Sequence, residues 1–416
     1  MSILADVVAA NRAGERVALP AWCTAHPETL SAVFACYREG DLPILVEATC
    51  NQVNQVGGYT GMTPADFRGF VEDLACREGI DPGRVLLGGD HLGPNPWKNE
   101  PAETAMEKAR AMVEAYVRAG FTKIHLDASM ACADDTDLDE ETMAARAAEL
   151  CVVAETAVEG EPLSYVIGTE VPIPGGETEA LDGLAVTAPE AAGHTVELHR
   201  RAFSARGLAG AFERVVGLVV QPGVDFGNGQ VFAFEPAEAE ALAASASTLP
   251  GIAFEAHSTD YQSEEALSAL TAAHFAILKV GPELTFAYRQ AVFALAGIER
   301  ELDVSEPSRL IEAVRAEMEA EPTHWRSYVA RGPRETRMML YGLSDRVRYY
   351  WPRPAIRKAL ARLRANLAAH PPEPGLVAQA IGRPVGTLAP GTDLMEATMR
   401  LMVGDVVAKY RRASGL

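Results

Sequence analysis

The sequence predicts a (β/α)8 TIM barrel followed by a helical extension, and three observations predict it. Eight apolar runs of strand length each end in polar or charged groups and then break. Segments with helical spacing lie between them. The eight units occupy residues 17–282 of 416, close to the roughly 250 residues typical of such a barrel. A parallel strand pair needs a crossover connection, so strands alternating with helices imply parallel strands. A doubly wound open sheet shares the alternation. No GxGxxG or GxxxxGK(S/T) follows any run, which argues against its nucleotide-binding versions.

The first run, VALPAWCTAHP (17–27), ends in Thr24 and His26, and the second, PILVEATCNQ (43–52), ends in Glu47, Asn51 and Gln52. RVLLGGDH (84–91), KIHLDAS (123–129), LSYVIGTE (163–170), VVGLVVQPG (215–223), GIAFEAHS (251–258) and FAILKVGP (275–282) complete the eight. Residues 63–79 give the clearest helix: Thr63 can cap it, Pro64 suits its first position, and Phe67, Phe70, Val71 and Leu74 form one apolar stripe. After Pro282 the strand signal stops. Residues 283–302, 306–320, 334–350, 354–369 and 391–413 read as helices, with a short aromatic piece at 322–331. The expected division is a barrel over 1–282 and a helical region over 283–416. No Ser/Gly-rich linker separates them, so the second should pack on the first.

Hydrophobic residues make up 48% of the chain, ample for a large core. Lys and Arg number 37 against 57 Asp and Glu, a formal net charge of −20, which disfavours nucleic acid or an anionic membrane as a partner. Local arginines can still bind an anionic substrate. The six cysteines show no CxxC pairing, the N-terminus has no signal-peptide pattern, and no apolar run reaches membrane-spanning length. Reduced thiols and a cytoplasmic location are the expectation.

In a TIM barrel the strand C-termini share the face on which active sites are built, so the polar run ends should converge. GGDHLGPN (88–95) sets Asp90 beside His91, with Asn95 close behind. Strand alternation turns His125 and Asp127 toward the barrel axis and Ile124 and Leu126 toward the helices. Two ionisable groups on the axis need partners or a metal; a structural hydrogen-bonded network satisfies the same need. His91, His257 and Glu170 end three separate strands, and imidazole plus carboxylate is a ligand set for a catalytic divalent ion. Gln221 is a neutral fourth ligand, a hydroxyl binder or a loop cap.

Asp90 is the candidate for proton transfer, or else it orients the histidine; Asp127 and Glu170 are the other catalytic carboxylates. Lys279 can form a Schiff base if its pKa is depressed, and otherwise an ion pair with Glu255 or Asp127. Glu47, Asn51, Gln52, Asn95, Ser258 and Asp260 are candidates for holding substrate hydroxyls. Arg346 and Arg348, in LSDRVRYYWP (343–352), suit a phosphate, while their aromatic neighbours suit a sugar ring, a subunit interface or packing onto the barrel.

At NQVNQVGGYTGMTPADFRGF, LLGGDHLGPN, KIHLDASM, IGTEVPIPGGE, VQPGV, EAHSTDYQ, HFAILKVGPELTFA and LSDRVRYYWP, the sequence resembles the GatZ/KbaZ-type accessory subunits of tagatose-1,6-bisphosphate aldolase. The resemblance spans essentially the whole chain. It implies a class II aldolase-like barrel, a partner aldolase with its own zinc, and a role in ketohexose or ketohexose-phosphate catabolism. Relatives carry ketose 4-epimerase activity, and some are called tagatose-6-phosphate kinases, although no ATP-cradling loop stands in this sequence. In class II aldolases an Asp-His pair supplies the proton-transfer group and a zinc ligand, which Asp90 and His91 resemble, and His257 resembles their later histidine ligand. The sequence departs from them at Gln221, where they carry a further histidine, and at Ser258, Thr259 and Asp260, where they carry a glycine-rich phosphate loop. The expected cofactor is a divalent metal, zinc first, then manganese, cobalt or nickel. A homo-oligomer is expected. Three functions follow: an aldolase-subunit-like protein with a retro-aldol site, a stand-alone 4-epimerase, or a non-catalytic stabilising subunit.

Overall fold

Each apolar run becomes a strand because its β-branched and aliphatic residues can be buried on both faces, as a parallel barrel requires. The computed structural model describes residues 2–171, 184–383 and 392–416. Among these, eight strands form the barrel: β1 Leu19–Trp22, β2 Ile44–Thr49, β3 Val85–Leu92, β4 Lys123–Leu126, β5 Ser164–Ile167, β6 Val215–Val219, β7 Ala253–Ala256 and β8 Phe275–Val280. Every neighbouring pair is parallel and follows chain order, and β8 closes on β1. A two-residue antiparallel ribbon, Asp225–Phe226 with Val231–Phe232, stands outside the barrel after β6.

The expected helix after β2 runs from Pro64 to Arg77. Its Thr63 side chain accepts from the Asp66 amide while Asp66 accepts from the Thr63 amide, so two otherwise orphaned donors are satisfied reciprocally. Phe67, Val71 and Leu74 are buried and Phe70 is half-buried.

The barrel interior is layered. At its N-terminal end Leu19, Ala21, Leu45, Val166, Val216 and Ile277 make an apolar floor, and Leu4 and Val8 of the helix Ile3–Arg12 pack against it from below. Asn11 ties that helix to the barrel through its amide, which donates to Thr271 O at 3.0 Å and Val17 O at 2.8 Å. Above the floor the interior turns polar.

The helix Pro282–Glu299 follows β8, and the C-terminal helix Leu394–Ala413 packs on it and on the helices Pro27–Ala35 and Glu264–Ala272. Tyr410 meets Trp22 edge-on at 5.8 Å, and its hydroxyl donates to Thr259 O at 2.6 Å, so this last helix clasps the seam where the barrel closes. The helix expected at 391–413 is described from Leu394; residue 391 lies outside the described residues. A short helix, Pro374–Ile381, was not expected.

The expected helix 334–350 is corrected to a helix Glu335–Tyr341 and a turn of 3-10 helix Arg346–Tyr349. Helical spacing runs through the break, but Asp345 adopts φ 42° and turns its buried carboxylate to Arg289 (2.7 Å) and Thr285 (2.5 Å). That ion pair, fully desolvated, holds the 343–352 segment on the barrel. The six cysteines are free thiols, and no described helix is long and apolar enough to cross a membrane.

Burial also sets a pH dependence away from the barrel axis. His199, 1% exposed on the helix Pro189–Ala205, donates from Nδ1 to Thr195 O at 2.8 Å, and burial lowers its pKa from 6.5 to about 4. Below pH 6.5 the unfolded chain gains a proton that the folded one refuses, so stability falls as pH drops from about 6.5 to about 4, by roughly 3 kcal/mol for this group. Urea midpoints between pH 7 and pH 4.5 should therefore fall less steeply in His199→Phe than in the parent; equal slopes would remove His199 from the acid response.

Candidate active site

The polar end of the barrel is built by β3, β4, β7 and β8. β3 runs through both glycines to Leu92, so Asp90 and His91 lie on the strand itself. Gly88 allows this, since a Cβ there would stand 2.7 Å from Glu47 Cγ. The register against β4 shifts between Gly89 and Leu92, and His91 takes φ 51°. A non-glycine residue in that region costs about 1–3 kcal/mol, and the surrounding hydrogen bonds hold it there. Ser258, directly after His257, takes φ 52°.

Three histidines converge, with ring centroids 4.9 Å (His91–His257), 5.2 Å (His91–His125) and 5.4 Å (His125–His257) apart. Each has one ring nitrogen on a carboxylate. Asp127 meets His91 Nδ1 at 2.7 Å, Asp90 meets His125 Nδ1 at 2.9 Å, and Glu255 meets His257 Nε2 at 2.8 Å. The second nitrogen of His91 stands 3.5 Å from Asp90, and His125 Nε2 is buried with no hydrogen-bond partner among the described residues. Carboxylate–histidine pairing of this kind fixes tautomer and ring orientation at metal centres. Ligand atoms of Asp90, His125, Glu255 and His257 all lie within 4.8 Å of one another. These donors fit a divalent cation.

Beneath the histidines lies a buried ion network. Lys123 Nζ is 2.7 Å from both Glu47 and Glu255, and Lys279 Nζ pairs with Glu47 and, at 2.5 Å, with Asp90. Four carboxylates (Glu47, Asp90, Asp127, Glu255) thus face two ammonium groups, leaving two negative charges when the histidines are neutral. Burial opposes charge on Asp90 and Glu255, yet His91 and Lys279 hold Asp90 well below the usual carboxylate range, and Lys123 and Lys279 do the same for Glu255. Burial likewise opposes a charged His91, but Asp90 and Asp127 raise it above its ordinary value. The site calls for added positive charge. His257 behaves oppositely: burial, then Lys279, lowers it to about 3, so its ring is neutral and a lone pair is available.

A cavity of about 210 Å³ opens above the cluster and is lined by Asp90, His91, His257 and Lys279. Asn51, Gln52, Ser258, Asp260 and Arg348 line it as well, so six of the nine residues expected to bind substrate reach it once Lys279 is counted. Its roof is the contact of Tyr59 with Tyr349, ring centroids 4.6 Å apart. Gly58 lets the 51–61 loop fold back there at φ 55°, where a Cβ would stand 2.4 Å from Gln52 O.

The other expected residues stand elsewhere. Glu47 is consumed by the two lysines. Asn95 is half-buried outside the cavity. Arg346 is held by His324 O at 2.6 Å and sandwiched by the rings of Tyr328 and Tyr349, which is the packing arrangement. Glu170 is exposed and accepts from the Thr187 hydroxyl, and residues 172–183 after it lie outside the described residues. Gln221 Oε1 accepts from the Gly223 and Val224 amides at 2.8 Å, so it caps its own loop. Neither Glu170 nor Gln221 belongs to the histidine cluster. Lys279 is raised well above its ordinary value by Asp90 and Glu47 against the pull of burial. An ammonium held in that way does not form a Schiff base, and its main partners are Glu47 and Asp90, with Glu255 at 3.8 Å. Alternation turns His125 toward the axis, but its place in the candidate donor group was not expected, nor was that of Glu255, nor the role of Lys123 in the ion network. The alternation in Lys123-Ile124-His125-Leu126-Asp127 and in Glu255-Ala256-His257 was the signal that could have found them.

A family model for "D-tagatose-1,6-bisphosphate aldolase subunit GatZ/KbaZ-like" matches residues 4–414. The GatZ subunit of D-tagatose-1,6-bisphosphate aldolase from Salmonella enteritidis is 49% identical over 370 residues, 87% of each chain. The Klebsiella pneumoniae GatZ subunit is 48% identical over 382 residues, 90% of each. A crystal structure from Sinorhizobium meliloti 1021, bearing the name "probable tagatose 6 phosphate kinase", superposes with a TM-score of 0.85 at 46% identity, covering 95% of this chain and all of the other. The chain belongs to the GatZ/KbaZ-like family of D-tagatose-1,6-bisphosphate aldolase subunits.

Proposed function

We propose that this aldolase-family chain carries its own divalent-metal site and performs retro-aldol chemistry at C3–C4 of a ketohexose or ketohexose phosphate. The observation that carries the reading is the set of three converging carboxylate–histidine pairs beneath one cavity, which Asp90, His91 and His257 line. His125 and His257, whose donor atoms lie together with those of Asp90 and Glu255, would hold the ion, with His91 the third imidazole beside them, and imidazole ligands favour zinc. When bound, it supplies Lewis-acid polarisation of the ketose carbonyl.

The remaining work falls to the protein. Asp90 is ionised and lines the cavity, unlike Glu47, Asp127 and Glu255, so it accepts the C4 hydroxyl proton. The C3–C4 bond then breaks to an aldehyde and an enediolate, whose charge faces the Lys279 ammonium. The Tyr59–Tyr349 roof keeps the aldehyde in place. Re-addition to its other face, with Asp90 returning the proton, inverts C4, whereas escape gives cleavage. A second reading, a stabilising subunit for a separate aldolase, is favoured by the names of the relatives.

Protein loaded with zinc should interconvert a C4-epimeric ketohexose pair, free or phosphorylated, with no partner added, and His125→Ala should lose the bound ion by elemental analysis. Both epimer and triose are followed over one time course. No product from any ketose, together with a rise in class II aldolase activity on mixing, would leave only the stabilising role.

A further inference from the structure

TIM barrels commonly grip phosphate with the loops after their last two strands and the N-terminus of a neighbouring helix. Here the helix Pro282–Glu299 begins at that place, and Gly281 and Pro282 line the cavity. Pro282 has no N–H to give. The amides on either side of it, of Gly281 and Glu283, both donate to Asp260 Oδ1, at 3.0 and 2.7 Å, and the next, of Leu284, turns back to Gly281 O at 3.1 Å. Asp260 is 2% exposed and lines the cavity, and among the described residues no other residue hydrogen-bonds its second oxygen. Glu283 adds another carboxylate, held by the Lys409 ammonium at 2.6 Å and the Tyr261 amide at 2.8 Å. The chain's own carboxylate therefore fills the position that a phosphate would take.

We propose that Asp260 is a specificity-determining residue: it closes this helix N-terminus to phosphate and offers its free oxygen to a sugar hydroxyl, so the ketose end bound here is unphosphorylated. The proposal rests on the reading that the cavity binds a ketose. Burial lifts the Asp260 carboxyl to about 7 although the Glu283 amide pulls the other way, so the group can accept or donate a hydrogen bond to a hydroxyl near neutral pH. The cations lining the cavity are Lys279, already held by Glu47 and Asp90, and Arg348. A single guanidinium can hold one anionic end of a substrate, at the other side of the selection that Asp260 makes.

The test uses inorganic phosphate as the probe, titrated calorimetrically into the metal-free full-length protein at pH about 8, so that no turnover is needed. Asp260→Ala frees both amides and should bind phosphate at least about tenfold more tightly than the parent, and the gain should persist when Arg348→Ala is added. Asp260→Asn keeps an acceptor for the amides but loses the charge, and should gain about threefold or more; it decides the matter if Asp260→Ala fails to fold. The KM for a neutral ketose should rise in both variants with a smaller change in kcat. Unchanged phosphate affinity in the folded variants would reduce Asp260 to a helix cap. A phosphate gain without turnover on any ketose would instead remove the proposed reaction and leave the Asp260 assignment standing.

Discussion

Asp90→Asn should keep the fold and the bound ion while lowering turnover by about 10²–10⁴-fold, the usual contribution of a general acid–base group. The substitution preserves shape, and the Asn carbonyl can still accept from His125 Nδ1, so the ring that Asp90 orients at 2.9 Å stays in place. What disappears is the one ionised carboxylate of the axial cluster that reaches the cavity. His91 and Lys279 hold Asp90 well below the usual carboxylate range against burial, so it stands ionised before the C4 hydroxyl gives up its proton. Rate and metal content measured on the same sample separate the outcomes. Full activity would restrict Asp90 to orienting His125, and loss of the ion would make it a ligand.

The barrel was legible because its evidence is local and repeated. Each strand needs only its own apolar run, and alternation within KIHLDAS was enough to turn His125 and Asp127 inward. The histidine cluster was partly legible for the same reason, since His91 and His257 end strands that any closed barrel brings together. What failed were side chains beyond the last strand hydrogen bond. Glu170 and Gln221 are polar groups at strand ends, but their direction is set by the loops that follow, and there Thr187 and the Gly223 and Val224 amides hold them. Of the partners of Lys279, Glu255 was expected, but Glu47 and Asp90 were illegible from spacing, because they reach it from two other strands. The break in the expected 334–350 helix had no local signal beyond Gly342. It comes from Arg289 and Thr285, on a helix far away in sequence.

Lys123→Met should destabilise the protein by about 3–5 kcal/mol, the usual effect of removing one partner from a buried ion pair. Lys123 is 1% exposed and its ammonium stands 2.7 Å from Glu47 and from Glu255, both 0% exposed. Without it, Lys279 alone faces both carboxylates and Asp90, and one buried carboxylate must take up a proton for the fold to persist. Glu255 is the more exposed to that change, because Lys123 leads the charges that hold it low against burial. A protonated Glu255 is a weaker, uncharged acceptor for His257 Nε2, so the contact that fixes the ring at 2.8 Å loosens. Loss of such a support typically weakens metal binding by about 10–100-fold, so the stability defect and the metal defect should appear together. Adding Glu47→Gln to Lys123→Met removes the surplus charge while leaving Glu255 its remaining cation, Lys279. The double variant should therefore recover part of both losses, a coupling that a double-mutant cycle on urea midpoints and ion affinity reads directly. If Lys123→Met matches the parent in stability, or if the double variant simply sums two independent losses, the network does not set the charge on Glu255 and the orientation of His257 must come from packing alone.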